Sequence, residues 1–282
     1  MANYLTKFTG SIKSRGILNT FKSVKNKLVF ESKCLFTSIN LNSSKFFSGN
    51  KLIVNHGKYK FYFYGGGDRG EILYHAFWKK MFSEEIEKVK NYIKRGDTVI
   101  DVGGNMGFFV LILNDLVGNT GKLYSFEPSR ILRDRLASTV QINNIKNVEI
   151  INLALGEKEG TTSLYYNPKQ SGLSSIVSHE ENGFLKEEIK ITTLDNFSKQ
   201  FSSRISFIKI DTEGYEPQVL RGAKELIIKD KPVIYIELGG DHLETSIEAL
   251  KVLKELGYYC EAEEVDLSKT LAGINFIATP IL

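Results

Sequence analysis

From residue 97 onward the chain alternates short apolar runs with helical patterns, and no other feature restricts its fold as tightly. Residues 98–102, 122–126, 148–153, 205–210, 233–238 and 258–261 read as strands, with helical spacing over 107–116, 129–143, 215–229 and 243–256. Apolar strands separated by helices build a mostly parallel sheet covered on both faces. The run 274–279 suits a closing strand, antiparallel at the end of that sheet. The expected class is α/β, a Rossmann-like sheet. Residues 156–197 interrupt the alternation with a polar insertion that reads as a hairpin or lid.

Upstream the pattern differs. Residues 52–54 and 59–64 are β-rich and flank Asn55-His56-Gly57, a hairpin turn. Gly65-Gly66-Gly67-Asp68 then breaks the chain, and a helix is expected from Ser83 as its cap, with Ile86, Val89, Tyr92 and Ile93 on one face. This divides the chain into a basic extension with a hairpin, residues 1–80, and a ligand-binding domain, residues 81–282. Within the extension, Ile12, Leu18, Phe21, Val24 and Leu28 suit one side of a weak helix.

Charge follows the same division. Residues 1–60 hold 11 Lys or Arg against the single acid Glu31, whereas the other 222 residues hold 26 against 32 Asp or Glu. A basic segment can meet anionic lipid, nucleic acid or an acidic glycan, and the plainer alternative is a solvated face. Peripheral membrane contact through it is therefore one expectation. No apolar run reaches the roughly 18 residues that cross a bilayer, and Lys7, Lys13 and Arg15 interrupt any secretory leader. The expected compartment is the cytoplasm. Cys34 and Cys260 lack the spacing of a zinc site or a disulfide framework, and no pattern fixes an oligomeric state.

The segment Val99-Ile100-Asp101-Val102-Gly103-Gly104-Asn105-Met106-Gly107-Phe108 carries the chemistry: a buried strand, a glycine-rich turn, then a helix N-terminus. Such a turn lets a ligand approach the backbone closely. Asp101 ahead of it would repel a pyrophosphate but suits a cation. The sulfonium and amino groups of S-adenosylmethionine fit that field, with Gly103, Asn105 and Gly107 leaving room for the methionine part. The next strand ends in Glu127-Pro128, where two acceptor oxygens can bind both hydroxyls of a ribose. A third strand ends in Asp211-Thr212-Glu213-Gly214-Tyr215-Glu216, at the same rim, because parallel strands share a direction. Crowded carboxylates there can yield a base or bind a cation.

The motifs DVGGNMGFF at 101–109, SFEPS at 125–129, NLALGEKEG at 152–160, TTLDNF at 192–197, IKIDTEGYEPQVLRGA at 208–223 and KPVIYIEL at 231–238 resemble the FkbM family of methyltransferases. The likeness spans roughly residues 97–240, and residues 1–60 lie outside it. It implies a class I methyltransferase fold, S-adenosylmethionine as donor, and O-methylation of a sugar or natural-product hydroxyl, as in polysaccharide biosynthesis. Gly104 stands where the family commonly has alanine. On this reading Asn152 joins Asp101, Gly103, Asn105, Gly107 and Glu127 around the cofactor. Asp211 is the first candidate base and Glu213 the second.

The insertion is expected to face the acceptor, with Ser174, Ser175 and Asn182 offering hydrogen bonds and His179 reaching over the site; Tyr165 and Tyr166 either stack on a sugar or are half-buried strand residues of a hairpin, and Glu216 joins this substrate group. A divalent metal between Asp211 and Glu237 is the less favoured reading, because comparable sites place an Asp-Asn pair where this chain has Glu237-Leu238. The acceptor is expected to be a small molecule or glycan. Rivals are an RNA or protein methyltransferase, which the acids at 211–216 oppose by repelling phosphate, and a silent nucleoside-binding module.

Overall fold

The computed structural model describes residues 52–64, 69–167, 170–176, 184–270 and 273–281. The expected helix within residues 1–51, Cys34, Gly65–Asp68, His179 and Asn182 lie outside them.

Seven strands make the central sheet: β3 (Thr98–Val102), β4 (Lys122–Phe126), β5 (Val148–Ile151), β10 (Ile205–Ile210), β11 (Val233–Gly239), β12 (Tyr258–Cys260) and β13 (Gly273–Pro280). Their order is β12-β13-β11-β10-β3-β4-β5. The five from β11 to β5 pair in parallel. The closing strand is antiparallel as expected, but it sits one place inside the edge, between β11 and β12.

Side-chain alternation splits the core in two. Ile100, Val102, Ile208, Ile210, Ile234 and Ile236 pack toward one face with Val219, Leu226 and Val252, whereas Val99, Leu123, Phe207 and Tyr235 pack toward the other with Phe109, Leu111 and Leu113. Both faces are thus apolar, which is why these strands read as near-continuous hydrophobic runs. The helix over Phe108–Val117 buries seven side chains, so it is covered almost all round.

Two helices differ from expectation. The first, Arg69–Val89, starts well before Ser83, which lies in its interior and not at its cap. The expected helix over 215–229 is two helices, Glu216–Arg221 and Lys224–Asp230. It breaks at Gly222, where a Cβ would lie 1.9 Å from the Gly156 carbonyl oxygen, and the Gly222 carbonyl accepts a 2.9 Å bond from the Asp195 amide.

The insertion forms its own sheet, in the order β6 (Ala154–Leu155), β9 (Leu185–Thr192), β7 (Gly160–Asn167) and β8 (Gln170–Ser175). The N-terminal hairpin, β1 (Leu52–His56) and β2 (Tyr59–Phe63), is docked by burying Tyr59 and Phe61 in the core and by polar contacts. Asn143 exchanges hydrogen bonds of 2.9 and 2.7 Å with the Lys60 backbone. Asp115 takes a 2.6 Å ion pair from Lys58 and a hydrogen bond from the Tyr59 hydroxyl. Among the described residues, no helix is long and apolar enough to cross a membrane.

Candidate active site

A cavity of about 300 Å³ lies beyond the carboxyl ends of β3, β4, β10 and β11. This is where ligands bind in open α/β sheets. On one side, β3 ends and its chain folds under β4, the amides of Gly103 and Gly104 both donating to the Phe126 carbonyl at 3.0 Å. Gly103 has φ +86°, and a Cβ there would lie 2.0 Å from the Asp211 carbonyl oxygen. Of the residue types, glycine alone tolerates both the conformation and the approach. Gly107, at φ +90°, begins the helix with Leu136 pressed against the space a side chain would take. Asn105 is itself left-handed, at φ +47°. Its side-chain oxygen is buried without a hydrogen-bond partner among the described residues, while the residue lines the cavity.

Glu127 faces this turn. One carboxyl oxygen accepts the Asn105 amide at 2.8 Å and the other the Ser129 amide at 2.9 Å. Burial pushes its carboxyl up to about 7, against the pull of those two amides, and Asp101 adds repulsion that Lys209 offsets. Each oxygen keeps a second lone pair for a further donor. Phe126, Leu132, Leu153 and Leu155 wall the adjoining space. These residues fit S-adenosylmethionine. Glu127 suits the ribose, the apolar wall a flat base, the stripped turn the methionine chain, and the unpartnered Asn105 oxygen its ammonium group.

Two cofactor expectations change at the level of contacts, and one unexpected residue joins the lining. Asp101 does not line the cavity: it is wholly buried beneath the turn, accepting from the Ser125 hydroxyl at 2.9 Å and lying 3.5 Å from the Lys209 ammonium. Burial raises its pKa, and Lys209 and Ser125 temper the rise. Its charge therefore answers an internal lysine first. Asn152 is exposed and accepts from the Arg133 guanidinium at 2.5 Å, away from the cavity, which its neighbours Leu153 and Ala154 line instead. Lys209, which apolar patterning hid inside a strand, lines the cavity at 3% exposure.

The opposite side is acidic. Asp211, Glu213, Glu237 and Glu85 all line the cavity. One carboxyl oxygen from each of Asp211, Glu213 and Glu237 lies within 4.8 Å of the others, and the Lys209 ammonium stands 3.1 Å from Asp211. Crowding by Asp211, then burial, holds the Glu237 carboxyl far above the usual carboxylate range. Glu213 adopts φ +54°, and its carboxylate meets His242 at 3.5 Å. Burial raises the Glu213 pKa, and the hydrogen bond to Glu213 raises that of His242. Sequence patterning ranks His242 below His179, because its partner Glu213 follows another strand. Glu85 receives the Tyr235 hydroxyl.

Of the residues expected to touch the acceptor, Ser174 lines the cavity. Ser175 is buried and donates to the Glu213 carbonyl at 2.6 Å, so it braces the loop. Glu216 is 2% exposed and accepts from the Thr212 amide and hydroxyl, both at 2.9 Å, and from the Gly214 amide at 3.2 Å. It shapes the 212–216 loop from within and does not line the cavity. Tyr165 and Tyr166 are half-buried strand residues outside the cavity lining, and Tyr215 lines it instead.

The chain matches the family model for the methyltransferase FkbM domain over residues 101–260. It is 24% identical over 178 residues to Methyltransferase sdnD of Sordaria araneosa, covering 52% of this chain and 68% of that protein. Methyltransferase 1 of Beauveria bassiana (strain ARSEF 2860) is 22% identical over 143 residues, covering 44% and 57%. Among solved structures, methyltransferase FkbM from Methylobacillus flagellatus KT aligns at a TM-score of 0.44 and 17% identity, over 68% of this chain and 48% of that one.

Proposed function

The chain belongs to the FkbM methyltransferase family, and on that premise we propose that it methylates a hydroxyl of a sugar, polysaccharide or other natural product, with S-adenosylmethionine as donor. The observation that carries this reading is the division of one cavity into two chemistries. The glycine turn and Glu127 form a nucleoside-binding half, and Asp211, Glu213 and Glu237 face it across the same space.

When bound, the donor supplies a methyl group on a positively charged sulfur, so transfer to oxygen leaves a neutral thioether and frees one proton. Glu127 and Asn105 hold the nucleoside and the ammonium group. Asp211 accepts a hydrogen bond from the acceptor hydroxyl and takes its proton, with Glu213 alongside as second acceptor. Glu237, kept protonated by its neighbours, donates to Asp211 or to an adjacent hydroxyl oxygen. Most of the rate enhancement comes from holding both reactants in line. A wall of carboxylates repels phosphate, which supports an uncharged polyhydroxylated acceptor over RNA.

The test supplies labelled donor with a panel of glycans and glycolipids, comparing the wild type with Asp211→Asn. The expected result is transfer by the wild type, and transfer reduced at least 100-fold in the variant with S-adenosylhomocysteine binding intact. Normal turnover by the variant removes Asp211 from the mechanism, and transfer to RNA in place of glycans overturns the acceptor class.

A further inference from the structure

Lys209 is the buried cation of the central strand, and its position is set by register. It pairs with Asp101 on β3 and with Tyr235 on β11. Its ammonium donates to the Gly103 carbonyl at 3.0 Å, and stands 3.1 Å from Asp211 and 3.5 Å from Asp101. It also lies 5.6 Å from the centroid of Phe109, whose ring lines the cavity. One side chain thus touches the turn expected to hold the cofactor and the carboxylate expected to meet the acceptor.

We propose that Lys209 is a positioning residue that fixes the cofactor turn against the acceptor carboxylate, so that donor binding and Asp211 placement depend on one buried ammonium. This rests on the methyltransferase reading of the cavity. The physical reason is that the three oxygens it gathers come from two strand ends, Asp101 and Gly103 from that of β3 and Asp211 from that of β10, which would otherwise separate. Two of them are carboxylates that repel each other. The third is the carbonyl of a left-handed glycine, and rotation of that peptide would move the amides of the turn. A lysine reaches all three because it is a compact charge with rotatable donors, whereas a guanidinium is planar and larger.

The test measures S-adenosylhomocysteine binding by calorimetry on the full chain from pH 5.5 to 8.5, for wild type, Lys209→Met and Lys209→Met/Asp101→Asn. The groups facing Asp101 are Lys209 on β10, Asp211 just past its end, Ser125 on β4, and Glu127 just past the end of β4. In Lys209→Met the buried Asp101 loses its counter-charge, so binding is expected to weaken at least tenfold at pH 8 and to recover as Asp101 takes up a proton. The double variant leaves no unpaired buried charge and is expected to fold. Its binding should be independent of that titration but still about fivefold or more below wild type, since Gly103 and Asp211 have lost their donor. Wild-type affinity in the folded single variant at every pH, even with a lowered melting temperature, makes Lys209 merely structural and overturns the proposal. If the single variant does not fold, wild-type affinity in the double variant overturns it equally. Failure of the wild type to bind the probe sinks the methyltransferase reading itself, and this proposal with it.

Discussion

Asp211 and Glu237 end adjacent parallel strands with their carboxyl groups together, and the charge of the first holds the second protonated far above the usual carboxylate range. Of these two neighbouring acids, Glu237 is thus suited to donate a hydrogen bond and Asp211 to accept one. This separation of roles comes from their mutual repulsion and burial.

Glu237→Gln is the neutral copy of the state already present. It should fold with a melting temperature within a few degrees of wild type and keep measurable transfer, because the amide still donates toward Asp211. Glu237→Asp should behave worse, since it retracts the group from its partner. Thermal unfolding monitored by circular dichroism checks the ranking, and a large loss of stability in the glutamine variant contradicts a protonated Glu237.

Glu127 links stability to pH. Its folded pKa, about 7, lies above the ordinary 4.5. Its contribution is therefore fully present below about 4.5 and is lost as pH rises through 7. The loss is on the order of 3 kcal/mol. Urea midpoints measured from pH 5 to 8 should fall with rising pH in the wild type and flatten in Glu127→Gln. Parallel slopes in the two proteins would show that another group is responsible. Glu127→Ala should also weaken S-adenosylhomocysteine binding by about tenfold or more, as expected for lost hydrogen bonds to a charged group.

Gly103→Ala puts a methyl group onto the Asp211 carbonyl oxygen, in a backbone conformation that alanine resists. Overpacking against backbone plus the left-handed strain should cost about 3 kcal/mol. Equilibrium denaturation reads this directly. A loss under about 1 kcal/mol would mean that the turn and β10 do not approach as described.

His242 should titrate above its ordinary 6.5 because Glu213 stabilises the imidazolium. Its contribution to stability is present below 6.5 and disappears as pH rises through the raised value. Following the ring protons by NMR should show the elevated pKa in wild type and a fall toward 6.5 in Glu213→Gln. An unchanged titration in that variant would show that Glu213 is not the partner.

The sheet was legible because its strands are buried on both faces and its turns are marked by glycine. Asp101, Gly103 and Glu127 could be placed at strand ends, and Gly107 at the start of the next helix, from the motif alone. What a side chain does there was less legible, since it depends on the neighbouring strand. Asp101 looks like a ligand acid until the register sets Lys209 beside it. Lys209 looks like a strand residue for the same reason. Glu216 seemed to project from a loop, but its carboxylate turns inward because the left-handed bend at Glu213-Gly214 aims the amides of Thr212 and Gly214 at it. The early start of the first helix escaped because Tyr74, His75, Phe77 and Trp78 rank low in helix propensity.

The placement of β13 bears on how the molecule is made. Gly273–Pro280 is translated after both strands it separates, so during synthesis β11 has no neighbour on that flank and β12 none at all. Until it inserts, the backbone beside Glu237 is an open edge, a template for pairing with other chains. A nascent chain halted before Gly273 would thus be prone to self-association, and the acidic wall of the cavity would be among the last parts of the protein to mature.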